Sequence, residues 1–283
     1  MVEMKTIDIL MITYRRPRYT RLALGRLLET CNDNMRVWVW HNGDHAETLE
    51  VVQSFAQHPR MHRIHHCPEN QRLNGPTNWF FTESKGDFVT KVDDDCLMPY
   101  GWAETLTQAM ADEPRFGILG CWRFQEEDFD PALANWKIQS FGRHKVLRNM
   151  WVEGSGYLMR RECVEKVGLI LPKRTFSDYC IRVGGLGYIN GWYWPPLRQP
   201  HLDDPREPLS EIKTDEDLLK NLPLSAQRAG IRTRADWTAR LQRSAREVQC
   251  ASIDPRIYVG WRRKLRNGVA RLKKLMGLDR HAY

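Results

Sequence analysis

The run FVTKVDDD, residues 88–95, reads as a short apolar strand that ends abruptly on three carboxylates, Asp93, Asp94 and Asp95. Three adjacent acids at the end of a buried strand repel one another and lose solvation, which is costly unless a cation compensates them. Along an extended chain alternate side chains face opposite ways, so Asp93 and Asp95 are expected on one side and Asp94 on the other. Hard carboxylate oxygens suit Mg²⁺ or Mn²⁺, which leave positions for water and phosphate oxygens. The plainer alternative is an acidic surface turn ahead of Met98-Pro99.

Upstream of this strand the chain alternates between two periodicities. Ile7 to Ile12 is a β-rich run that stops at Thr13-Tyr14-Arg15-Arg16-Pro17, after which Leu22, Leu24, Leu27, Leu28 and Cys31 recur at helical spacing. Val37 to Trp40 reads as a second strand, followed by the loop His41-Asn42-Gly43-Asp44 and a helix marked by Leu49, Val52, Phe55 and Ala56. A turn-forming loop, Asn70 to Pro76, then precedes a helix over Thr77 to Lys85 that Gly86 closes. Strands separated by helices imply crossover connections and a mostly parallel α/β sheet with helices on both faces, whose ligands gather at the carboxyl ends of the strands. The three strand-end loops are therefore expected to share one pocket.

These pieces, together with Glu69-Asn70, Gly75 and Lys85-Gly86-Asp87, resemble in order and spacing a family 2 glycosyltransferase of the Rossmann-like GT-A fold. Gly154-Ser155-Gly156 with the following Tyr157 to Glu162 is similar to that family's acceptor-side segment, and Asp178 to Tyr188 to its next helix; the likeness spans roughly residues 5–205. The resemblance implies a nucleotide diphosphate-sugar donor held by Thr13, Tyr14, Arg16, His41, Asn42, Asp44, Asn70 and Gly75, with Asp93 and Asp94 reaching ribose and diphosphate. It also implies Mn²⁺ or Mg²⁺ on Asp95, assisted by Asp93 and by His201 in Pro200-His201-Leu202-Asp203-Asp204, and a saccharide acceptor, which a membrane-bound terminal helix would suit in lipid-linked form. Two departures stand out. His41 occupies the place of the family's base-binding aspartate, and Thr175 and Phe176 fall where a glutamate and the usual catalytic base would be. An inverting transfer needs a carboxylate within hydrogen-bond reach of the attacking hydroxyl. Asp178 is the candidate, Glu153 the reserve, and a carboxylate at a helix N-terminus is favoured by the macrodipole whether or not it catalyses anything.

The 283 residues, 42% hydrophobic and 28% charged, suit a globular α/β domain over 1–205 with a helical extension over 206–283. The net charge of +8 is concentrated: residues 261–283 hold eight basic side chains against one acid, which argues against a nucleic-acid groove. Trp261, Leu265, Val269, Leu272 and Met276 recur at helical spacing opposite the basic side chains, so residues 261–278 suit either an anionic membrane surface or packing on the chain's own domain. Seven scattered cysteines without a C-x-x-C pair and the lack of a long apolar run predict a cytoplasmic protein, peripheral on the inner face of the membrane if the last helix binds there. His62, His65 and His66 are expected in a polar connection, and Trp192, Tyr193 and Trp194 either on a sugar face or in the core. Two other functions compete: a nucleotidyltransferase, although Thr13 to Pro17 contains no glycine, and a noncatalytic scaffold of the same fold.

Overall fold

The computed structural model describes residues 5–221 and 223–275. Its strands are β1 (Ile7–Thr13), β2 (Met35–Asn42), β3 (Met61–Cys67), β4 (Phe88–Asp93), β5 (Phe116–Gly120), β6 (Ile138–Phe141), β7 (His144–Asn149), β8 (Tyr157–Arg160) and β9 (Ile189–Trp194). They form one sheet in the order β3-β2-β1-β4-β8-β5-β9-β7-β6. The helices are α1 (Pro17–Glu29), α2 (Ala46–Ser54), α3 (Asn74–Glu83), α4 (Trp102–Asp112), α5 (Pro131–Ala134), α6 (Arg161–Val167), α7 (Phe176–Gly185), α8 (Asp215–Asn221), α9 (Leu224–Ala229), α10 (Arg234–Cys250) and α11 (Gly260–Leu275).

Every residue of β1 is buried, as a central strand covered on both faces requires. Ile7, Ile9 and Met11 enter one core cluster with Leu24 and Leu27 of α1 and Leu106 of α4, whereas Leu10 and Ile12 enter another with Phe80 and Phe81 of α3. The two-residue period of the strand thus divides its side chains between two helical layers. Strands β1 to β4 are mutually parallel, as is the β5–β9 pair; the remaining pairings, β4–β8, β5–β8, β6–β7 and β7–β9, are antiparallel. The buried Asp8 is satisfied by Nε and Nη2 of Arg36, Nε1 of Trp38 and the backbone N–H groups of Lys85 and Gly86, at 2.6–3.1 Å. A side chain at Gly86 would meet the Asp8 backbone nitrogen at 2.9 Å, so a glycine is required where the α3–β4 connection crosses this carboxylate.

The segment expected as a polar connection is the edge strand β3. His62 packs on Trp38, and His65 on Trp40 and Trp79, with ring centroids 4.4, 4.1 and 5.1 Å apart. Aromatic partners on the neighbouring strand and helix bury the apolar faces of imidazoles that look merely polar in sequence. Trp192 is fully buried, and Trp194 lies against Phe129 with ring centroids 4.7 Å apart, so these aromatics serve the core.

Beyond the sheet, Ile212, Leu218, Ala226, Trp237 and Leu241 form a third cluster, while Ala245 and Val248 of α10 join the cluster that holds Leu10 and Ile12. Nε1 of Trp237 donates to the Asp203 carbonyl at 2.7 Å. On α11, by contrast, Trp261, Leu265, Val269 and Leu272 are exposed; Met276 lies outside the described residues. Among the described residues no helix is long and apolar enough to cross a membrane.

Candidate active site

The registers Thr13↔His41 and Ile12↔Asp93 bring the carboxyl ends of β1, β2 and β4 to one edge, so their loops converge. Strand β4 ends at Asp93, and the chain then turns. The turn changes the expected alternation. Asp94 and Asp95 both point to Arg16, whose Nη2 lies 3.1 Å from an oxygen of each and whose Nη1 lies 2.8 Å from Asp203 Oδ1. Asp93 instead pairs with Lys91, and its backbone N–H donates to Ser155 Oγ at 2.9 Å. Arg15 and Arg16 both take the left-handed conformation, φ 58° and 57°, a region that is costly for side chains with a Cβ. The three carboxylates around the Arg16 guanidinium supply the compensating attraction.

A second convergence comes from the far end of the chain. Cys96 and His201 form an antiparallel bridge, with Leu202 N–H donating to the Asp95 carbonyl at 2.7 Å and Leu97 N–H to that of Pro200 at 2.9 Å. This pairing places His201 Nε2 3.7 Å from Asp95 Oδ2, while Cys96 Sγ donates to Asp95 Oδ1 at 3.3 Å. Ligand atoms of Asp95, Cys96 and His201 all lie within 4.8 Å of one another.

The electrostatics follow from burial and crowding. Burial pushes Asp94 up to about 6 and Asp203 to about 8, against the pull of Arg16. Asp95 is also buried, yet His201 and Arg16 hold it well below the usual carboxylate range. Burial depresses His201 against the pull of Asp95, and burial raises the Cys96 thiol well above its ordinary value. A buried carboxylate, an imidazole and a neighbouring sulfur fit a divalent transition ion. Nitrogen and sulfur donors are poor partners for Mg²⁺, which demands oxygen ligands.

The residues expected to hold the donor lie at two depths. Tyr14 donates its backbone N–H to Asp94 Oδ2 at 3.2 Å, and its ring lies 3.1 Å from where a Cβ on Gly43 would stand, so the loops after β1 and β2 touch. Asn42 ties down the following loop, donating Nδ2 to Asn70 Oδ1 and the Arg72 carbonyl at 2.9 Å and accepting from the Gln71 N–H at 2.7 Å. Asp44, Asn70 and Gly75 are exposed along this rim. Thr13 and His41 are fully buried behind it, with Oγ1 and Nδ1 3.0 Å apart, and burial pushes His41 down to about 4.

Asp178 lies apart from this group. It is the third residue of α7, accepts from the Thr175 N–H and hydroxyl in a capping box, and forms an ion pair with Arg263 of α11 at 2.9 Å. Phe176 stacks on Tyr157 with centroids 4.4 Å apart. Glu153 is held by the partly buried Arg123 at 3.2 Å, and Arg123 feels the field of Cys96, Asp95 and Asp93. Sequence reasoning passed over Asp203 and Cys96. Both lie close in sequence to residues that the motifs mark, and the Cys96–His201 bridge brings their segments together.

A sheet of this order, with acids at the carboxyl end of β4 and a late histidine returned to them, has the GT-A architecture. Residues 8–168 match the family model described as glycosyl transferase family 2. The chain belongs to that family, whose activity is glycosyl transfer. No curated protein matches it in sequence. Among solved structures it is similar to the mannosyltransferase PcManGT from Pyrobaculum calidifontis in complex with GDP-Man and Mn²⁺, at 16% identity and a TM-score of 0.60, over 96% of this chain and 81% of that one. It also resembles GalNAc-T7 with UDP, GalNAc and Mn²⁺ (10% identity, TM-score 0.57, 71% of this chain and 44% of that one). Another similar structure is TarS of S. aureus with UDP-GlcNAc (14% identity, TM-score 0.50, 66% of this chain and 55% of that one). At such identities the likeness concerns the fold.

Proposed function

We propose that the protein transfers a sugar from a nucleoside diphosphate-sugar to a hydroxyl of a saccharide or lipid-linked saccharide, with Mn²⁺ held by Asp95 and His201. The observation that carries this reading is the return of His201 to within 3.7 Å of Asp95 at the strand edge where the donor-side loops converge. The ion, when bound, neutralises charge that builds on the departing diphosphate. The nitrogen donor favours Mn²⁺ over Mg²⁺, and the neighbours solved with Mn²⁺ agree.

The chain's own residues supply the rest. Arg16 is the cation placed to exchange Asp94, Asp95 and Asp203 for phosphate oxygens, which match its planar fork as well as carboxylates do. Tyr14 with Gly43, and Asn42 with the 70–75 loop, shape the nucleoside side, while Thr13 and His41 support them from beneath. In the inverting course, the acceptor hydroxyl gives its proton to a carboxylate as its oxygen bonds the anomeric carbon, and the electron pair of the breaking bond leaves with the nucleoside diphosphate. Asp178 is the carboxylate for this role in the order of the chain, and to act it must release Arg263. The exposed apolar face of α11 and the basic residues of 261–278 support contact with an anionic bilayer.

A thermal-shift panel of nucleoside diphosphates with and without Mn²⁺ tests the central claim. At least one should stabilise the protein only when Mn²⁺ is present, and Asp95→Ala should abolish that shift; no metal-dependent stabilisation by any of them sinks the reading. The engagement of Asp178 by Thr175 and Arg263 also favours a binding-only protein. Release of nucleoside diphosphate from the donor that binds separates the two.

A further inference from the structure

Between α7, the turn Pro255–Tyr258 and the start of α11 lies a cavity of about 200 Å³ whose lining includes Arg174, Arg182 and Arg263 together with Leu171 and Val259. Three guanidinium groups face one carboxylate there, Asp178, and that carboxylate is already matched by Arg263 and by the Thr175 cap. Arg182 donates one Nη2 to the Val167 carbonyl at 2.6 Å, and Arg174 is exposed. The cavity thus carries a surplus of cationic donors suited to the oxygens of a phosphate. Its rim is apolar: Leu171 is 50% and Val259 56% exposed, and Val259 leads directly into α11, where Trp261 is 68% and Leu265 60% exposed. Such a run of exposed apolar groups is costly in water and marks a surface that is covered in use.

We propose that this cavity binds the phosphate of a lipid-borne phosphate ester, with the apolar rim and α11 taking the beginning of its hydrocarbon chain. A free phosphate would leave the apolar rim unused, and a neutral glycan would leave the arginines unused. A lipid phosphate uses both. Phe176, which follows Thr175 of the cavity wall, stacks on Tyr157 of the segment expected on the acceptor side, so a headgroup bound here lies beside that segment. The inference rests on the lipid-linked acceptor reading and names the part of the chain that would hold it.

Vesicle flotation tests it with the full chain. Phosphatidylcholine vesicles would carry either a lipid phosphate monoester, which holds close to two negative charges at neutral pH, or phosphatidylglycerol at matched total charge. The native protein should float about tenfold more readily with the monoester, a margin of about 1.4 kcal/mol. The Arg174→Ala/Arg182→Ala variant, checked for native circular dichroism and melting, should lose that preference while retaining charge-driven binding to both. Trp261→Ser/Leu265→Ser should float with neither. Equal binding to the two lipids, or a preference that survives in the double arginine variant, overturns the cavity assignment and leaves membrane contact standing. No flotation with any anionic vesicle overturns both. Suppression of the preference by inorganic phosphate at the same concentration as the lipid phosphate would reassign the cavity to free phosphate and defeat the proposal.

Discussion

His41 shows how one residue can support a site from behind it. Its ring is fully buried, is held by Thr13 at 3.0 Å and has an Nε2 without a hydrogen-bond partner, so protonation would place an uncompensated charge in the core. Burial, with His66 and His45 nearby, lowers its pKa from the ordinary 6.5 to about 4. Because the folded value is depressed, the unfolded chain binds the proton first. The stability contributed by neutral His41 is therefore complete above pH 6.5 and is lost as the pH falls toward 4. Urea melts across this range should show native stability declining on acidification, and His41→Gln should flatten that limb. The identity at position 41 was legible as a departure from the family's aspartate; its burial was not, because burial follows from β3 and α2 covering the end of β2.

At the scale of elements, α7 joins a capping box to the candidate base. Thr175 and Asp178 cap it reciprocally, and although burial works against the charge, the Thr175 donors and Arg263 hold Asp178 below its usual range. Asp178→Ala removes a capping partner and the ion pair to α11, and should cost about 1 kcal/mol in chemical unfolding. If Asp178 is also the base, turnover should fall by about 10²-fold or more with the Mn²⁺-dependent nucleoside diphosphate shift intact. A loss of stability alone, with turnover unchanged, assigns it to the cap. A capping sequence and a catalytic one look alike in one dimension, since both place a carboxylate in the first turn of a helix.

For the whole molecule, the tail beyond residue 205 is tied to the site in two ways. Trp237 of α10 donates to the Asp203 carbonyl, next but one to His201, and Ala245 and Val248 fill the core beneath β1. Trp237→Ala should therefore cost about 3–5 kcal/mol, the range for a buried large aromatic. It should also weaken the Mn²⁺-dependent shift by loosening the 200–204 segment. Calorimetry of the native chain should give one cooperative transition, because the extension shares a core with the sheet. Two transitions would mean that residues 206–283 unfold on their own.

Sequence alone determined the alternation of strands and helices, the carboxylates at the end of β4 and the family, because two-residue and helical periodicities and turn-forming loops are local properties of the chain. It also marked His201 through the motif around it. Tertiary structure decided which groups meet. Arg16 gathers Asp94, Asp95 and Asp203 across separations of 78 to 187 residues, and the Cys96–His201 bridge completes the candidate metal site. The edge strand β3 depends on imidazoles packing against Trp40 and Trp79, partners that lie on other elements. Each of these is a contact between segments distant in sequence, and its free energy comes from burial and charge compensation that exist only once the sheet has formed.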